Sequence, residues 1–102
     1  MQGDADIQVW LDTQEWVKPG TVVPYVASSH AQDLRYRIRA VQEGQSGRAV
    51  IGQTGVVHVG ADTPAALTRL SLGNQPGANC VIEITLTGKE IQTLRYTFEC
   101  PS

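Results

Sequence analysis

The stretch Arg35-Tyr36-Arg37-Ile38-Arg39-Ala40-Val41 decides the fold, because charged and apolar side chains alternate along it. A β-strand directs successive side chains to opposite faces of its sheet, so this pattern predicts a strand with one buried face. The face predicted to be buried holds Tyr36, Ile38 and either Ala40 or Val41. The opposite face holds three residues that we call the arginine column: Arg35, Arg37 and Arg39.

The rest of the chain also reads as short alternating segments separated by turn residues. The predicted strands cover residues 7–12, 22–28, 34–43, 48–53, 56–59, a segment ending at Gly73, 80–87 and 91–100. Pro24 predicts an edge or a bulge in the second of these, because proline cannot donate to a sheet ladder. Seven or eight short strands without a helical period predict an immunoglobulin-like antiparallel β-sandwich of about seven strands, with a closed barrel as the alternative.

The last two predicted strands form a hairpin whose apolar rows should be the centre of the core. These rows are Cys80, Ile82, Ile84 and Leu86 on one strand, and Leu94, Tyr96, Phe98 and Cys100 on the other. A three-residue loop would place Cys80 opposite Phe98, and a small bulge would place it opposite Cys100. A structural disulfide and two buried free thiols both fit this position. A catalytic dithiol is not expected, because it usually needs a Cys-x-x-Cys motif at a helix N-terminus.

Length and charge limit the classes of function. A chain of 102 residues is expected to form one domain spanning residues 1–102, with residues 1–5 disordered. Its formal net charge of −2 argues against nucleic-acid binding. No apolar run approaches the roughly 18 residues that a membrane span requires. No signal peptide is visible, so we expect that one was removed if the protein is exported.

The polar residues do not form a recognisable catalytic or metal-binding motif. His30 and His58 have no neighbouring cysteine or histidine, so no metal site and no cofactor are predicted. Ser28-Ser29-His30 lacks the Gly-x-Ser-x-Gly elbow of a serine hydrolase, and no catalytic residue is predicted. Trp10 and Trp16 are expected to place at least one ring in the core, although an exposed sugar-stacking platform is the alternative.

Three stretches resemble the CsgC-like family of small curli-assembly chaperones, and its alphaproteobacterial CsgH branch looks most similar. They are Thr21-Val-Val-Pro24, Val41-Gln-Glu-Gly-Gln-Ser-Gly47 and Pro64-Ala-Ala-Leu-Thr-Arg-Leu-Ser-Leu72. The resemblance covers roughly residues 21–96. It differs from the enteric members at the start of the third strand, where they carry Cys-x-Cys and this chain has Gln32-Asp33-Leu34. A redox role of that motif is therefore not carried over.

The resemblance implies an immunoglobulin-like sandwich that resides in the periplasm. The sequence does not report an oligomeric state, and a monomer is expected by default. It also implies a partner, the disordered and amyloidogenic major curli subunit. Family members keep that subunit from forming amyloid before secretion, through weak and charge-guided contacts. The expected function is therefore that of an ATP-independent chaperone, and the alternative is an immunoglobulin-like adhesion or sugar-binding module.

The arginine column is the candidate client-binding site. In a sandwich of this type, the third strand lies beside the strand 80–87, which lies beside the last strand. The outward face should then combine the column with Arg95 and place a single carboxylate, Glu83, among the four arginines. One glutamate cannot neutralise four arginines, so this basic face is expected to attract an acidic or carbonyl-rich chain. Arg48 and Arg69 mark an alternative binding face, expected on the opposite sheet.

Overall fold

The computed structural model describes residues 7–13, 21–44, 47–71, 79–89 and 92–100. The predicted disorder of residues 1–5 lies outside these ranges. The strands are β1 (Ile7–Thr13), β2 (Thr21–Ser28), β3 (Gln32–Gly44), β4 (Gly47–Val59), β5 (Ala65–Ala66), β6 (Leu70–Ser71), β7 (Asn79–Gly88) and β8 (Leu94–Glu99). None of the described residues is helical, so the described part of the chain has no helix long and apolar enough to cross a membrane. The predicted all-β class is confirmed.

The strands form two antiparallel sheets that pack against each other. In the first, which we call the β2 sheet, β2 pairs with β1 on one side and with β5 and β6 on the other. The second, the β3 sheet, has the order β4-β3-β7-β8. The predicted adjacency of β3, β7 and β8 is thus correct. Two separate sheets make the molecule an immunoglobulin-like sandwich rather than a closed barrel.

The core lies between the sheets, and of the two rows predicted at its centre only the β7 row, from Ile82 to Leu86, is fully buried there. The β8 row is half-buried and packs against the margin of the core. The largest fully buried apolar side chains are Val26, Leu34, Ile38, Val59, Leu70, Ile82, Ile84 and Leu86. Burial of one such side chain contributes roughly 1.5–3 kcal/mol. In β3 the inward row continues through Ala40, which is 2% exposed, so Val41 lies on the outward face beyond the arginine column. This resolves the choice that the sequence left open between Ala40 and Val41.

The prediction of two short strands split by Gly52 and Gly55 is wrong. β4 runs without interruption and pairs with β3 from Gly44 opposite Gly47 to Gln32 opposite Val59. Continuous pairing with a long neighbour outweighs the weak strand preference of glycine. At Gly55 the ring of Tyr36, its partner on β3, occupies the space that a side chain would fill.

Pro24 lies in a central strand, not at the edge or bulge that the sequence predicted. β2 is central in its sheet, but β5 pairs with it only at Tyr25 and Val26 and β6 only at Thr21 and Val22. Pro24 lies in the gap between these two short strands, where its missing N–H leaves no ladder bond unmade. Its carbonyl still accepts a hydrogen bond of 2.9 Å from the Leu67 backbone.

Candidate functional site

The arginine column lies in the middle of the outer face of the β3 sheet. β3 has a hydrogen-bonded neighbour on each side, so the column is flanked on both sides by side chains of other strands. All three arginines are exposed. All but one of their neighbours are short: Val56, Thr54 and Gly52 on β4, and Thr87 and Thr85 on β7, the exception being Glu83 beside Arg39. Small neighbours leave the guanidinium groups accessible from solvent.

Arg95 joins the column from β8, and Glu83 lies between them. Arg95 stands opposite Thr85 in the register, and Glu83 stands opposite Arg39. The Arg95 Nε lies 3.9 Å from the Glu83 Oε2, which is the cross-strand ion pair that the alternation suggested. Both side chains are substantially exposed, so the pair contributes only about 0.2–1 kcal/mol. The centre of the face therefore carries four arginines around one carboxylate.

The ends of the same face are less basic than the sequence suggested. Asp33, Glu43 and Glu99 continue the outward rows of β3 and β8 and are exposed. Asp33 Oδ1 lies 2.7 Å from the Nδ1 of His58, an exposed residue of β4. The acidic groups were overlooked because they lie at strand ends. Positive charge is consequently concentrated in the centre of the face.

Arg48 was assigned to the wrong surface. It lies near the start of β4, opposite Glu43, so it shares the outer face with the arginine column, and its Nε is 3.9 Å from Glu43 Oε2. The error follows from splitting β4 and leaving its partner strand undetermined. Arg69 is exposed and directly precedes β6, which pairs with β2, so it belongs to the other sheet as expected.

An apolar row adjoins the column. Val50, Val41 and Val81 stand side by side on β4, β3 and β7, and Val50 and Val81 are 51% and 41% exposed. Val56, beside Arg35, is 67% exposed. The sequence did not reveal this row, because Val41 and Val50 each adjoin another apolar residue and alternation alone does not show which of two such residues faces solvent. The outer face thus offers apolar contacts beside its positive charge.

A groove of about 550 Å³ lies at the other end of the column. Arg35 and Lys89 line it together with Thr87, Val56 and Asp33. The groove thus combines two cationic side chains with one carboxylate, that of Asp33. Lys89 had been seen only as a turn residue, so the sequence did not suggest its place beside the column.

The disulfide between Cys80 and Cys100 is present and closes the last hairpin. The Cys100 N–H donates to the Cys80 carbonyl at 3.1 Å, and the two Cα atoms are 5.4 Å apart. The cysteines are directly opposite without a bulge, because β7 and β8 are in register from Leu86 opposite Leu94. The predicted three-residue loop, which would have paired Cys80 with Phe98, is therefore wrong. Cys100 packs against the core, on the opposite side of the sheet from the column.

The remaining candidates fall outside this face. Ser28 is 2% exposed, and its Oγ accepts from the His30 backbone N–H and from Gln32 Nε2, at 3.2 and 2.8 Å. His30 lies in a bend, as expected. Across the described ranges, no three potential ligands gather as a metal site would require.

Trp10 does not lie in the core, so the expectation that at least one tryptophan ring is buried now depends on Trp16. It is 36% exposed on β1 and stacks on Tyr25, with ring centroids 5.8 Å apart. Its strand alternation directs it to the outer face of the β2 sheet, away from Val9 and Leu11. Trp16 lies outside the described residues.

Comparisons with known proteins agree with the fold and with the resemblance. A family model described as "Thin aggregative fimbriae synthesis protein" (Tafi-CsgC) matches residues 4–98. The curli assembly protein CsgC of Escherichia coli strain K12 is 28% identical over 94 residues, which cover 92% of this chain and 84% of the relative. The same values hold for CsgC of Escherichia coli O1:K1.

Two solved structures have the same fold. The Escherichia coli curli protein CsgC in its SeCys form superposes with a TM-score of 0.71 and 25% identity, covering 91% of this chain and 96% of that one. The solution structure of R. palustris CsgH gives a TM-score of 0.71 at 14% identity, covering 91% of each chain. At that identity the second likeness shows the fold alone.

Proposed function

The chain belongs to the thin aggregative fimbriae synthesis family, and from this premise we propose that it acts in curli assembly as an ATP-independent chaperone. Its client would be the disordered, amyloid-forming curli subunit. The chaperone would inhibit premature amyloid formation through transient, electrostatically guided contacts. The proposal assigns it no catalytic activity and no cofactor.

The observation that carries this proposal is the concentration of four arginines around Glu83 on an exposed sheet face. Arginine offers a planar and weakly hydrated donor group that can bind carboxylates, backbone carbonyls and aromatic faces. On a flat, solvated surface each such contact is weak and exchanges rapidly. A client chain can therefore be kept soluble and released again without an energy source.

The disulfide supports a periplasmic location. Disulfides persist in oxidising compartments such as the bacterial periplasm and are rare in the cytosol. We propose that the protein works there as a monomer and as one domain over residues 1–102. Neither membrane insertion nor nucleic-acid binding forms part of the proposal.

A matched pair of charge reversals tests which face holds the client. Arg37→Glu changes the centre of the arginine column, and Arg69→Glu makes the same change on the other sheet. Both residues are exposed, so each variant should keep its stability within about 0.5 kcal/mol. At low salt and at substoichiometric chaperone, Arg37→Glu should shorten the lag of curli-subunit fibrillation relative to wild type, and Arg69→Glu should not. The reverse result would move the client to the Arg69 face.

The wild-type protein tests the function itself in the same assay. A lag time unchanged by wild-type protein would contradict the chaperone proposal. The alternative of a sugar-binding module rests on the exposed Trp10, which stacks on the half-buried Tyr25. Glycan binding that disappears in Trp10→Ala would favour it.

A further inference from the structure

β4 has an unusually open edge. Among the described residues only β3 pairs with it, and its other side is accessible. At 13 residues it is far longer than the strands at the other sheet edges, β8 with 6, β1 with 7, and β5 and β6 with 2 each. Residues 47–56 are all exposed or half-buried, whereas Val59 is fully buried at the far end.

β4 also lacks the devices that usually protect an edge strand. Such strands are normally short, charged, bulged or interrupted by proline. β4 contains no proline and no lysine, its only basic side chains are Arg48 and His58, and its register with β3 has no bulge. β8, in contrast, is short, carries Arg95 and Glu99, and ends beside a disulfide. An open edge of this kind is the surface that extended chains use when they bind by strand addition.

The outward side chains of β4 determine which side chains a bound segment needs. Val50 and Val56 offer apolar contacts, and between them lie the small residues Gly52 and Thr54. Gly52 stands opposite Arg39, and no heavy atom lies within 4 Å of the place where its Cβ would be. The Arg39 side chain can therefore extend over Gly52 toward a strand added on the far side of β4. Such a strand would lie two strand spacings, or roughly 10 Å, from β3. Arg37 faces the similarly short Thr54.

We propose that the β4 edge over residues 47–56 binds an extended segment of a partner protein as an added strand. Every second residue of the segment would lie on the face shared with the arginine column. In order, these four residues would be apolar, carboxylate or amide, carboxylate or amide, and apolar. The apolar positions contact Val50 and Val56, and the polar ones meet Arg37 and Arg39. This inference rests on the proposed function in one respect, because it takes the client as the natural partner.

A second copy of this chain does not fit the same edge. β4 contains no acidic residue, so two β4 strands paired with each other supply no carboxylate to either arginine column. The two columns would then lie about three strand spacings, or roughly 14 Å, apart, with no carboxylate between them. Charge complementarity therefore favours a partner segment with acidic or amide side chains.

The test uses a capped synthetic peptide, Thr-Val-Thr-Asp-Thr-Asn-Thr-Val-Thr, and hydrogen exchange of the whole protein followed by NMR. In an antiparallel edge strand every second backbone N–H points away from its partner. These alternate amides of residues 47–56 should exchange quickly in the free protein. With the peptide at about ten times its Kd, their exchange should slow roughly tenfold. The amides of β8 should be unchanged.

Two N-methylated versions of the peptide are the matched controls. In the first version the backbone nitrogens of the threonines are methylated. In the second version those of the valines, the aspartate and the asparagine are methylated. Since only alternate N–H groups of an added strand point to β4, one version should lose the protection and the other should keep it. Equal protection by both versions, or peptide binding that leaves the β4 amides unprotected, would overturn the inference. Protection that increases with protein concentration alone would assign the edge to self-association and would overturn it too.

The same experiment with the curli subunit separates this inference from the proposed function. If the protein delays fibrillation but the subunit leaves the β4 amides unprotected, strand addition is wrong and the chaperone function stands. If the peptide protects β4 but the protein does not delay fibrillation, the edge is a binding site and the curli function is wrong.

Discussion

Tyr36 and Gly55 form a cross-strand pair in which the glycine is required by the ring beside it. A Cβ built on Gly55 would lie 2.5 Å from the Tyr36 hydroxyl oxygen and 2.7 Å from its Cζ. Gly52, three residues earlier in the same strand, has no heavy atom within 4 Å of its Cβ position. Gly52 and Gly55 therefore differ in what a methyl group would meet.

Gly55→Ala should destabilise the protein, and Gly52→Ala should not. Displacing a well-packed ring costs about 1–3 kcal/mol. A change of 1 kcal/mol shifts the melting temperature of a domain of this size by roughly 4–8 °C. Thermal unfolding of the two variants measures the difference directly. Equal melting temperatures would show that Tyr36 rotates away without cost.

Glu83 is the only carboxylate among the four central arginines, so its removal tests their electrostatic role. Glu83→Gln keeps the shape of the side chain and its place opposite Arg39 but removes the negative charge. The exposed pair with Arg95 contributes little to stability, so the fold should persist. Inhibition of curli-subunit fibrillation at low salt should become stronger than that of wild type. Weaker inhibition would indicate that Glu83 orders the arginines for binding.

At the scale of elements, the hairpin of β7 and β8 combines a structural face with a candidate functional face. Its inward rows carry the disulfide and the buried Ile82, Ile84 and Leu86, and its outward row on β8 carries Arg95. Because strand side chains alternate between faces, a change on one side need not disturb the other.

Replacing both Cys80 and Cys100 with serine should lower stability and leave inhibition intact. The disulfide spans a sequence separation of 20 residues. Loop-closure entropy alone sets its contribution at about 3 kcal/mol. The actual loss should be smaller, because the hairpin is already held by its ladder. Chemical denaturation and the fibrillation assay measure the two effects separately. A folded double variant without inhibition would contradict the structural role of the disulfide.

The arginine column as a unit is tested by two triple variants. Changing Arg35, Arg37 and Arg39 to glutamate reverses the local potential, and changing them to lysine keeps the charge but removes the planar donor group. The inward row of β3 is untouched, so both should fold. Inhibition should fall most in the glutamate variant and less in the lysine variant. If the glutamate variant inhibits as well as wild type at low salt, the column is only a solvated surface.

At the scale of the whole molecule, net charge and local charge have opposite signs. The chain carries a formal charge of −2, whereas the centre of one sheet face carries four arginines around one glutamate. Long-range attraction of an acidic client by the net charge is therefore excluded. Short-range attraction by the face remains, and it depends on ionic strength.

Inhibition by the wild-type protein should weaken as salt increases. The Debye length shrinks from about 10 Å at 0.1 M to about 3 Å at 1 M, so exposed charges on this face are progressively screened. Fibrillation kinetics over this range, with the glutamate triple variant as the control, measure the effect. Salt-independent inhibition would instead point to the valine row of Val50, Val41 and Val81 as the main contact.

The sequence by itself determined the class of fold and much of the core. The alternation in β3 and in the last hairpin is a local property of period two, so it correctly predicted the inward rows and the outward arginines. It also placed Cys80 and Cys100 on one face, although their register depended on the connection between β7 and β8. A motif-level resemblance was enough to identify the family.

The sequence placed β3, β7 and β8 side by side, but only the tertiary structure decided how β4 pairs, and with that which side chains border the arginine column on its other side. Alternation separates two faces but does not say which of two adjacent apolar residues is inward, as Ala40 and Val41 show. Strand pairing joins residues far apart in the chain, so β4 became one continuous edge strand and brought Arg48 and Val50 to the column. Pro24 shows the same dependence, because its place in a central strand is possible only where β5 and β6 leave a gap. Local patterns follow from the geometry of one strand, whereas a shared surface follows from contacts that form only when the whole chain folds.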